Sequence, residues 1–236
     1  MACSRARPAF LTGVGIAVIL GCSGGGGTTG ESTRAKETTP PATKSAQPSS
    51  PSPSDDRPAA PKTGDQRQHA WLTIEAIGVK NLRVVPYEGT TDDWPGTRIQ
   101  NRGFAASPYG KQGGVGPGEI GNYLVTAHRL SAGGPLRLLP SLDEGERVVV
   151  TAAGARYEYE ITDTRETSFR SARSLAEQRA AVPGVPGQRP TQAMITVSTC
   201  LTPEDNAAGN YWRDDRGNPE HRVDKIGVLT SAQPAQ

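Results

Sequence analysis

The segment AMITVSTCLT, residues 193–202, combines a strand pattern with a cysteine at its end, and this combination decides the fold prediction. Ile195 and Val197 alternate with polar residues, and most positions carry β-branched side chains, which predicts a β-strand. Pro203 follows Cys200 closely and ends the pattern. A cysteine at the end of a strand sits on rigid backbone with its thiol towards a loop, and this placement suits a nucleophile. A buried cysteine that only fills space is the alternative interpretation.

The N-terminus has the features of an export signal. Arg5 and Arg7 precede an apolar run over residues 10–20. This run is shorter than the roughly 20 residues that a membrane-spanning helix needs. It closes in ILGC, ending at Cys22, which resembles a bacterial lipoprotein processing box with a leucine at a position that is usually small. We predict a signal peptide or lipoprotein-type anchor over residues 1–22, with Cys22 lipidated. An uncleaved membrane anchor and a freely secreted form are the alternatives.

A low-complexity segment follows the predicted anchor. Residues 23–66 contain no Leu, Ile, Val, Met, Phe, Trp or Tyr, and Ser, Thr, Pro, Gly and Ala dominate. This composition cannot form a core, so we predict a disordered linker. A flexible chain of this length spans about 35–40 Å, enough to hold a domain away from an anchored end. The remaining segment, 67–236, is long enough for one domain with a sizeable core, which we place at the extracellular face of the cell membrane.

Charge and cysteine content narrow the possible functions. The chain has 26 basic and 24 acidic residues, and Arg5 and Arg7 lie in the predicted signal, so the mature form is close to neutral. This balance gives no indication of nucleic-acid binding. Cys3 lies in the signal and Cys22 is the predicted lipidation site, which leaves Cys200 without a disulfide partner in the exported domain. An unpaired thiol in an oxidising compartment is a candidate reactive group.

Short strand patterns separated by turn signals run through the domain. We predict strands near residues 71–79, 82–87, 122–129, 147–151, 156–162, 193–200 and 223–229. Pro86 favours an edge position for the second strand. Residues 88–121 and 202–221 predict irregular connections, and short helical segments are expected near 135–142 and within 167–182. The pattern predicts a mainly β fold, either a barrel or a sandwich.

A histidine and an arginine accompany the cysteine at other predicted strand ends. His128 can take the thiol proton and later return it to a leaving amine. Arg222 stays cationic and can stabilise the oxyanion that forms when a thiolate attacks a carbonyl. These two residues and Cys200 are therefore candidates for one catalytic rim. Arg213 and Arg216, in the preceding loop, are alternatives to Arg222.

Other polar residues receive structural interpretations. His221 is next to Arg222, and neighbouring strand residues point to opposite faces, so we expect His221 to face away from the site. Four acidic residues follow the cysteine strand: Glu204, Asp205, Asp214 and Asp215. They lack the alternating spacing of a calcium loop, so we predict a solvated loop, no metal site and no cofactor.

Three motifs resemble one enzyme family. The segment TVSTC at 196–200 resembles the Thr-Leu-x-Thr-Cys signature of bacterial sortases. The segment TAHR at 126–129 resembles their Gly-His-Arg stretch, and GGPLRLL at 133–139 resembles the Pro-Phe-x-x-Leu run that follows it. The resemblance covers roughly residues 71–229, in the order His, Cys, Arg, and the composition around Arg222 resembles actinobacterial class E or F enzymes.

This resemblance implies a single closed β-barrel of about eight strands that carries a cysteine transpeptidase. Cys200 would attack the Thr–Gly bond of a Leu-Pro-x-Thr-Gly-like sorting signal and form a thioacyl intermediate. His128 would protonate the leaving amine and deprotonate the incoming one, Arg222 would stabilise the oxyanion, and Thr199 would face the bound peptide. The acceptor would be an amine of a peptidoglycan precursor or of a pilin. Residues 167–190 and 201–220 would border the groove.

Rival functions remain at this point. An L,D-transpeptidase also joins cell-wall peptides, but its usual His-Gly and Ser-x-Gly-Cys signatures are absent from the sequence. A catalytically inactive sortase-fold lipoprotein acting as a cell-wall binding module is the main alternative. A structural wall-anchored protein is a further one.

Overall fold

The computed structural model describes residues 68–235. The predicted signal, the predicted linker and the predicted lipidation site at Cys22 lie outside this part of the chain. Within it, no helix combines the length and apolar character needed to cross a membrane.

Eight strands and three short helices make up the described chain. The strands are β1 (Ala70–Ile74), β2 (Val79–Glu88), β3 (Ala105–Tyr109), β4 (Gly121–Thr126), β5 (Arg147–Ala152), β6 (Ala155–Ser168), β7 (Ala193–Cys200) and β8 (His221–Pro234). The helices are α1 (Trp94–Gln100), α2 (Ala172–Arg179) and α3 (Thr202–Ala207), with 3-10 turns at Glu75–Ile77 and Leu139–Ser141. The strands close into a barrel in the order β1-β2-β3-β4-β7-β8-β6-β5, which confirms the predicted fold class.

The barrel interior is filled by alternate residues of its strands. Ile195 and Val197 of β7 are fully buried among apolar side chains from the other strands, including Tyr157 and Tyr159 of β6. Because side chains alternate between the two faces of a strand, one face of β7 belongs to this core and the other lies outside the barrel.

The predicted hairpin between β5 and β6 is present. Its two-residue turn, Ala153–Gly154, has positive φ at both positions, 51° and 74°. This backbone matches the right-handed twist of antiparallel strands, so the turn pairs Ala152 directly with Ala155.

Strand pairing brings three strand ends to one rim. β4 runs parallel to β7, with Thr126 opposite Ser198, so both strands end at the same level. β8 is antiparallel to β7 and begins there, with Arg222 opposite Cys200. His128 follows the end of β4 by two residues and therefore lies at this rim.

Three expectations, one about a strand and two about connections, were wrong. Pro86 is not on an edge, because β2 pairs with β1 on one side and with β3 on the other in a closed barrel. The segment 88–121, predicted to be irregular, contains α1 and β3, and 202–221 begins with α3. The missed α1 is only seven residues long, too short for a periodic pattern, although Asp93 caps it and Pro95 lies in its first turn.

Candidate active site

Cys200 is the last residue of β7, on the strand face that points out of the barrel. Thr196 and Ser198 share this face, whereas Ile195, Val197 and Thr199 point into the barrel. Cys200 is 8% exposed, and it lines the cleft at the end of the strand. The rigid strand backbone fixes the position of the sulfur.

Arg222 lies beside Cys200 on the neighbouring strand, with Nη2 3.9 Å from Sγ. Its Nη1 forms an ion pair with Asp92, and its guanidinium carbon is 4.5 Å from the centre of the Phe169 ring. Burial alone lowers the pKa of Arg222, but Asp92, Cys200 and Asp224 together raise it above its ordinary value. The guanidinium therefore stays cationic next to the sulfur. Its Nε is buried and donates to no acceptor in residues 68–235.

Asp92 holds the guanidinium from the opposite side and was not predicted as a site residue. It lies in the loop between β2 and α1 with φ of 61°, a left-handed conformation in which Asp is one of the more tolerated residues. Its other carboxylate oxygen accepts from Gln100 Nε2 at 3.3 Å. A strained backbone conformation of this kind is kept only when contacts with the surrounding structure hold it in place. Such residues are concentrated at functional sites.

His128 is half-buried, and its Nε2 lies 2.7 Å from Asn101 Oδ1 at the end of α1. An amide oxygen only accepts hydrogen bonds, so in this pairing Nε2 carries the proton and Nδ1 remains as the basic nitrogen. Burial lowers the pKa of His128, and the Arg222 charge lowers it further, against an opposing effect of Asp92. The imidazole is thus neutral near pH 7 and able to accept a proton.

The thiol of Cys200 is also neutral at rest. Burial raises its pKa to about 11, with Asp92 and Asp214 adding to the increase and Arg222 opposing it. The site therefore rests as an uncharged thiol and an uncharged imidazole. Nucleophilic attack requires the thiol proton to leave as the carbon–sulfur bond forms.

Asn218 contacts the thiol from the loop before β8. Its Oδ1 lies 3.9 Å from Cys200 Sγ. Asp214 fixes the asparagine, since it accepts from Asn218 Nδ2 at 3.0 Å and from its backbone N–H at 2.8 Å. The amide oxygen is therefore placed to accept the thiol proton as a weak hydrogen bond. No sequence pattern marked Asn218.

Cys200 and His128 open into one cleft at the barrel rim. Its lining also includes Trp94, Thr97, Asn101, Arg129, Leu130, Ser131, Thr202, Arg216, Gly217, Asn218 and Pro219. A second pocket lies on the side of Arg222 that faces Asp92 and Phe169. It is lined by Thr90, Thr91, Asp92, Asp93, Phe169, Leu175, Arg179, Trp212, Asp214 and Arg216. Residues from 167–190 line the second pocket, and residues from 201–220 line both pockets.

Thr199 does not face the cleft. Its side chain is 1% exposed, and its hydroxyl donates to the carbonyl oxygen of Ala127 at 2.8 Å. The strand alternation that turns Cys200 outward necessarily turns Thr199 inward. This geometry contradicts the predicted contact between Thr199 and bound peptide. The residue instead ties β7 to the backbone immediately before His128.

A buried polar network lies behind the site. Asp224 accepts hydrogen bonds from Ser198 Oγ at 2.5 Å, Thr167 Oγ1 at 2.6 Å and Gln178 Nε2 at 2.9 Å. Gln178, on α2, accepts in turn from Thr91 Oγ1 at 3.0 Å, beside Asp92. The network joins β6, β7, β8 and α2 to the loop that carries Asp92. In the sequence, Asp224 is a polar interruption of a hydrophobic strand, and the structure explains it.

The remaining candidates have structural partners. Arg213 donates to Asn206 Oδ1 at 2.5 Å, and Arg216 pairs with Asp214 and Asp215, so Arg222 is the arginine placed at the sulfur. His221 faces away from Cys200, as expected, with Nδ1 2.6 Å from Asp205 Oδ1.

The acidic cluster is only partly a solvated loop. Asp205 is 5% exposed, and its buried carboxylate accepts from both the ring and the backbone N–H of His221. Glu204 pairs with Arg129. Within residues 68–235, no group of three or more His, Cys, Asp or Glu side chains is arranged to hold a metal ion.

An outward-facing thiol, an imidazole and a guanidinium at one rim of an eight-stranded barrel define a candidate cysteine-nucleophile site. The family model of the sortase domain matches residues 72–212, which include His128 and Cys200 and end before Arg222. The match covers more than half of the chain, and the chain belongs to the sortase family, whose members are generally cysteine transpeptidases.

Solved structures show the same fold. The SrtA sortase from Actinomyces oris is similar at 20% identity and a TM-score of 0.54, over 77% of this chain and 89% of that one. Sortase E1 from Streptomyces coelicolor, solved with a tripeptide in its active site, matches at 19% identity and 0.53, over 73% and 93%. Sortase E from Streptomyces avermitilis matches at 25% and 0.51, over 72% and 92%. No curated protein sequence matches the chain.

Proposed function

We propose that this sortase cleaves the Thr–Gly bond of a Leu-Pro-x-Thr-Gly-like sorting signal and transfers the new acyl end to an amine. The acceptor amine belongs to a peptidoglycan precursor or a pilin. The observation that carries the proposal is the position of Cys200 Sγ, 3.9 Å from Arg222 Nη2 and in one cleft with His128. A thiol, a base and a fixed cation are the groups that acyl transfer through a thioester requires.

In the first half-reaction, Cys200 Sγ attacks the carbonyl carbon of the threonine residue while His128 takes the thiol proton. The carbonyl oxygen becomes an oxyanion that Arg222 stabilises through its free donors. Collapse of this intermediate breaks the carbon–nitrogen bond, and the imidazolium of His128 gives its proton to the departing glycine amine. The products are a thioester on Cys200, a free amine and neutral His128.

In the second half-reaction, the acceptor amine attacks the thioester carbon. His128 accepts a proton from the attacking nitrogen, and the carbon–sulfur bond breaks with return of that proton to the sulfur. An amide forms, and Cys200 and His128 return to their neutral state. The lowered pKa of His128 suits this step, since a neutral imidazole must be present when the amine arrives.

The pocket beside Arg222 suits the part of the sorting signal before the scissile bond. Phe169, Leu175 and Trp212 provide apolar and aromatic surface for leucine and proline side chains. The tripeptide in the active site of S. coelicolor sortase E1 gives a precedent for peptide binding in a similar barrel.

The N-terminal predictions complete the proposal. An anchor at Cys22 and a linker over 23–66 would hold the enzyme at the outer face of the cell membrane, where cell-wall amines are found. Replacement Cys22→Ser in the producing cell tests this part. Loss of fatty-acid incorporation and release of the enzyme from the membrane fraction are expected, and unchanged membrane association would argue for an uncleaved apolar anchor.

The test of the chemistry uses the full chain with Cys3→Ser and Cys22→Ser, so that Cys200 is the remaining cysteine. The protein is incubated with Leu-Pro-x-Thr-Gly and Leu-Ala-x-Thr-Gly peptides, and mass spectrometry measures adducts on Cys200. We expect an adduct that ends at threonine, is absent in Cys200→Ala, and converts to an amide when an amine is added. A folded protein that forms no adduct with either peptide series would support the inactive binding module instead.

A further inference from the structure

One face of α1 forms a wall of the cleft that contains the reacting groups. Trp94, Thr97 and Asn101 are spaced three and four residues apart, so they share one side of the helix, and all three line the cleft with Cys200 and His128. Asn101 holds the imidazole at one end of this face. Trp94, at the other end, is 50% exposed.

The position of Trp94 is set by rigid contacts. Asp93 caps α1 by accepting from the backbone N–H of Gly96 at 2.8 Å. It also accepts from the backbone N–H of Thr90, in the loop before the helix, at 3.0 Å. At Gly96 an added Cβ would come within 2.4 Å of the Tyr87 hydroxyl, so the helix packs tightly against β2 there. The indole is therefore held at the cleft mouth by a fixed backbone while half of its surface is exposed. An exposed, preorganised aromatic side chain of this kind is typical of a binding residue.

The imidazole determines which reactant uses this cleft. His128 must deliver its proton to the leaving amine and take one from the incoming amine, so both amines pass on the His128 side of Cys200. Asp92 and Phe169, which both contact Arg222, line the other pocket, the one that suits the acyl part of the peptide, and neither of them lines this cleft. The Trp94 face is thus on the amine side of the site.

The charges of the cleft favour a neutral acceptor. Among the described residues, its lining contains no carboxylate, and both of its arginines have partners of their own. Arg129 pairs with Glu204 at 3.1 Å, and Arg216 pairs with Asp214 at 3.2 Å. A site without a carboxylate does not stabilise an ammonium ion, and an amine must be deprotonated to attack a thioester.

We propose that Trp94, with Leu130 across the cleft, forms the subsite for the acceptor, and that it binds a primary amine carried on a short uncharged peptide. Leu130 is 43% exposed, and the two side chains provide apolar surface for the acceptor backbone next to the amine. This inference rests on the proposed function and adds a residue that determines acceptor use.

The test measures the two half-reactions separately in the full chain with Cys3→Ser and Cys22→Ser. Thioester formation is followed with a sorting peptide alone, and the ratio of amide to hydrolysis product is measured over a range of concentrations of triglycine amide, which has no carboxylate. In Trp94→Ala we expect both the amide-to-hydrolysis ratio and the rate of thioester formation to be measurable. The fold decrease in the ratio should be about ten times larger than the fold decrease in the rate. Trp94→Phe, which keeps an aromatic ring, should recover most of the loss.

Trp71→Ala is the matched control, since Trp71 is 45% exposed on β1 and does not line the cleft. An amide-to-hydrolysis ratio that changes equally in Trp94→Ala and Trp71→Ala would overturn the subsite. Equal use of triglycine amide and Gly-Arg-Gly amide by the unmodified site would overturn the uncharged class of acceptor. Failure to form any thioester would instead contradict the proposed function, so the two failures are distinguishable.

Discussion

Arg222 lies between Asp92 and Cys200, with Nη1 paired to the carboxylate and Nη2 3.9 Å from the sulfur. The two neighbours act on the thiol in opposite directions, because Asp92 raises the pKa of Cys200 and Arg222 lowers it. The carboxylate therefore fixes the arginine in the site at the cost of a less acidic thiol. Substitutions at these positions should separate the two effects.

Asp92→Asn should weaken the fold and increase thiol reactivity. The substitution leaves the buried guanidinium without a charge partner, and breaking a buried ion pair costs about 3–5 kcal/mol. It also removes a negative charge that raises the pKa of Cys200, so alkylation by iodoacetamide at pH 8 should be faster in the folded fraction. Denaturant unfolding and alkylation rates measure the two effects. Asp163→Asn, at an exposed position of β6, is the control: its stability should stay within about 0.5 kcal/mol and its alkylation rate should not change.

Arg222→Ala should change thiol reactivity in the other direction. With its pKa near 11, the thiolate fraction of Cys200 rises with pH, and alkylation should speed up about tenfold per unit between pH 7 and pH 9. Loss of the cation raises the pKa further, so the alanine variant should react more slowly at each pH in this range. Arg222→Lys, which keeps a positive charge, should be less affected, and Arg213→Ala should not change the profile. Faster alkylation in folded Arg222→Ala would contradict the electrostatic role.

Asn101→Asp should shift the pH profile of transfer. The substitution places a carboxylate next to His128 Nε2, which favours the protonated imidazole and raises the pKa of His128. The apparent acid-side pKa of the second half-reaction, in which neutral imidazole is the base, should therefore move upward. Asn101→Ala should lower the turnover rate about tenfold without this upward shift, because the imidazole loses its orientation. An unchanged profile in Asn101→Asp would show that the contact is not maintained during turnover.

Asp224→Asn should destabilise the barrel beneath the site. The carboxylate accepts from three donors, and an amide replaces one of its acceptor oxygens with a donor, so at least one hydroxyl or amide loses its partner. The expected loss is about 1–3 kcal/mol, measured by urea unfolding at pH 7. Asp163→Asn, an exposed position on the same strand pair, is the control and should have little effect. Equal stability of the two variants would mean that the network contributes little.

His221→Ala should lose stability in a pH-dependent way. Burial opposes protonation of His221, but the hydrogen bond to Asp205 and the charges of Asp205, Glu166 and Glu220 outweigh it, and the pKa is raised above 6.5. A raised histidine pKa stabilises the fold below the pKa of the unfolded chain, and this contribution disappears as pH rises through the folded pKa.

The difference in unfolding free energy between the wild type and His221→Ala should therefore be larger at pH 5.5 than at pH 9. His69→Ala, an exposed histidine near the start of β1, is the comparison. A difference that is independent of pH would indicate that His221 acts through packing alone.

Local patterns in the sequence were sufficient for the fold class, and they also pointed to the three residues that the structure brings to one rim, His128, Cys200 and Arg222. The alternation around Ile195 and Val197 specifies a strand because β-branched side chains on alternate faces suit a pleated backbone. The hairpin at Ala153–Gly154 was predicted from a turn signal between two adjacent strand patterns. The unpaired state of Cys200 was predicted by counting the cysteines. The motifs around His128 and Cys200 carried the family resemblance, and the barrel and the family match confirm it.

Tertiary structure alone decided how these residues are supported. Asp92 reaches Arg222 and Asn218 reaches Cys200 only because barrel closure and the β7–β8 register bring distant segments together. A short helix such as α1 has no periodic signal, so the Trp94 face was not predicted. The inward direction of Thr199 follows from the strand alternation that turns Cys200 outward, but which face meets the core depends on the opposite strands. Sequence patterns specify local backbone, whereas the direction and partners of a side chain depend on contacts across the barrel.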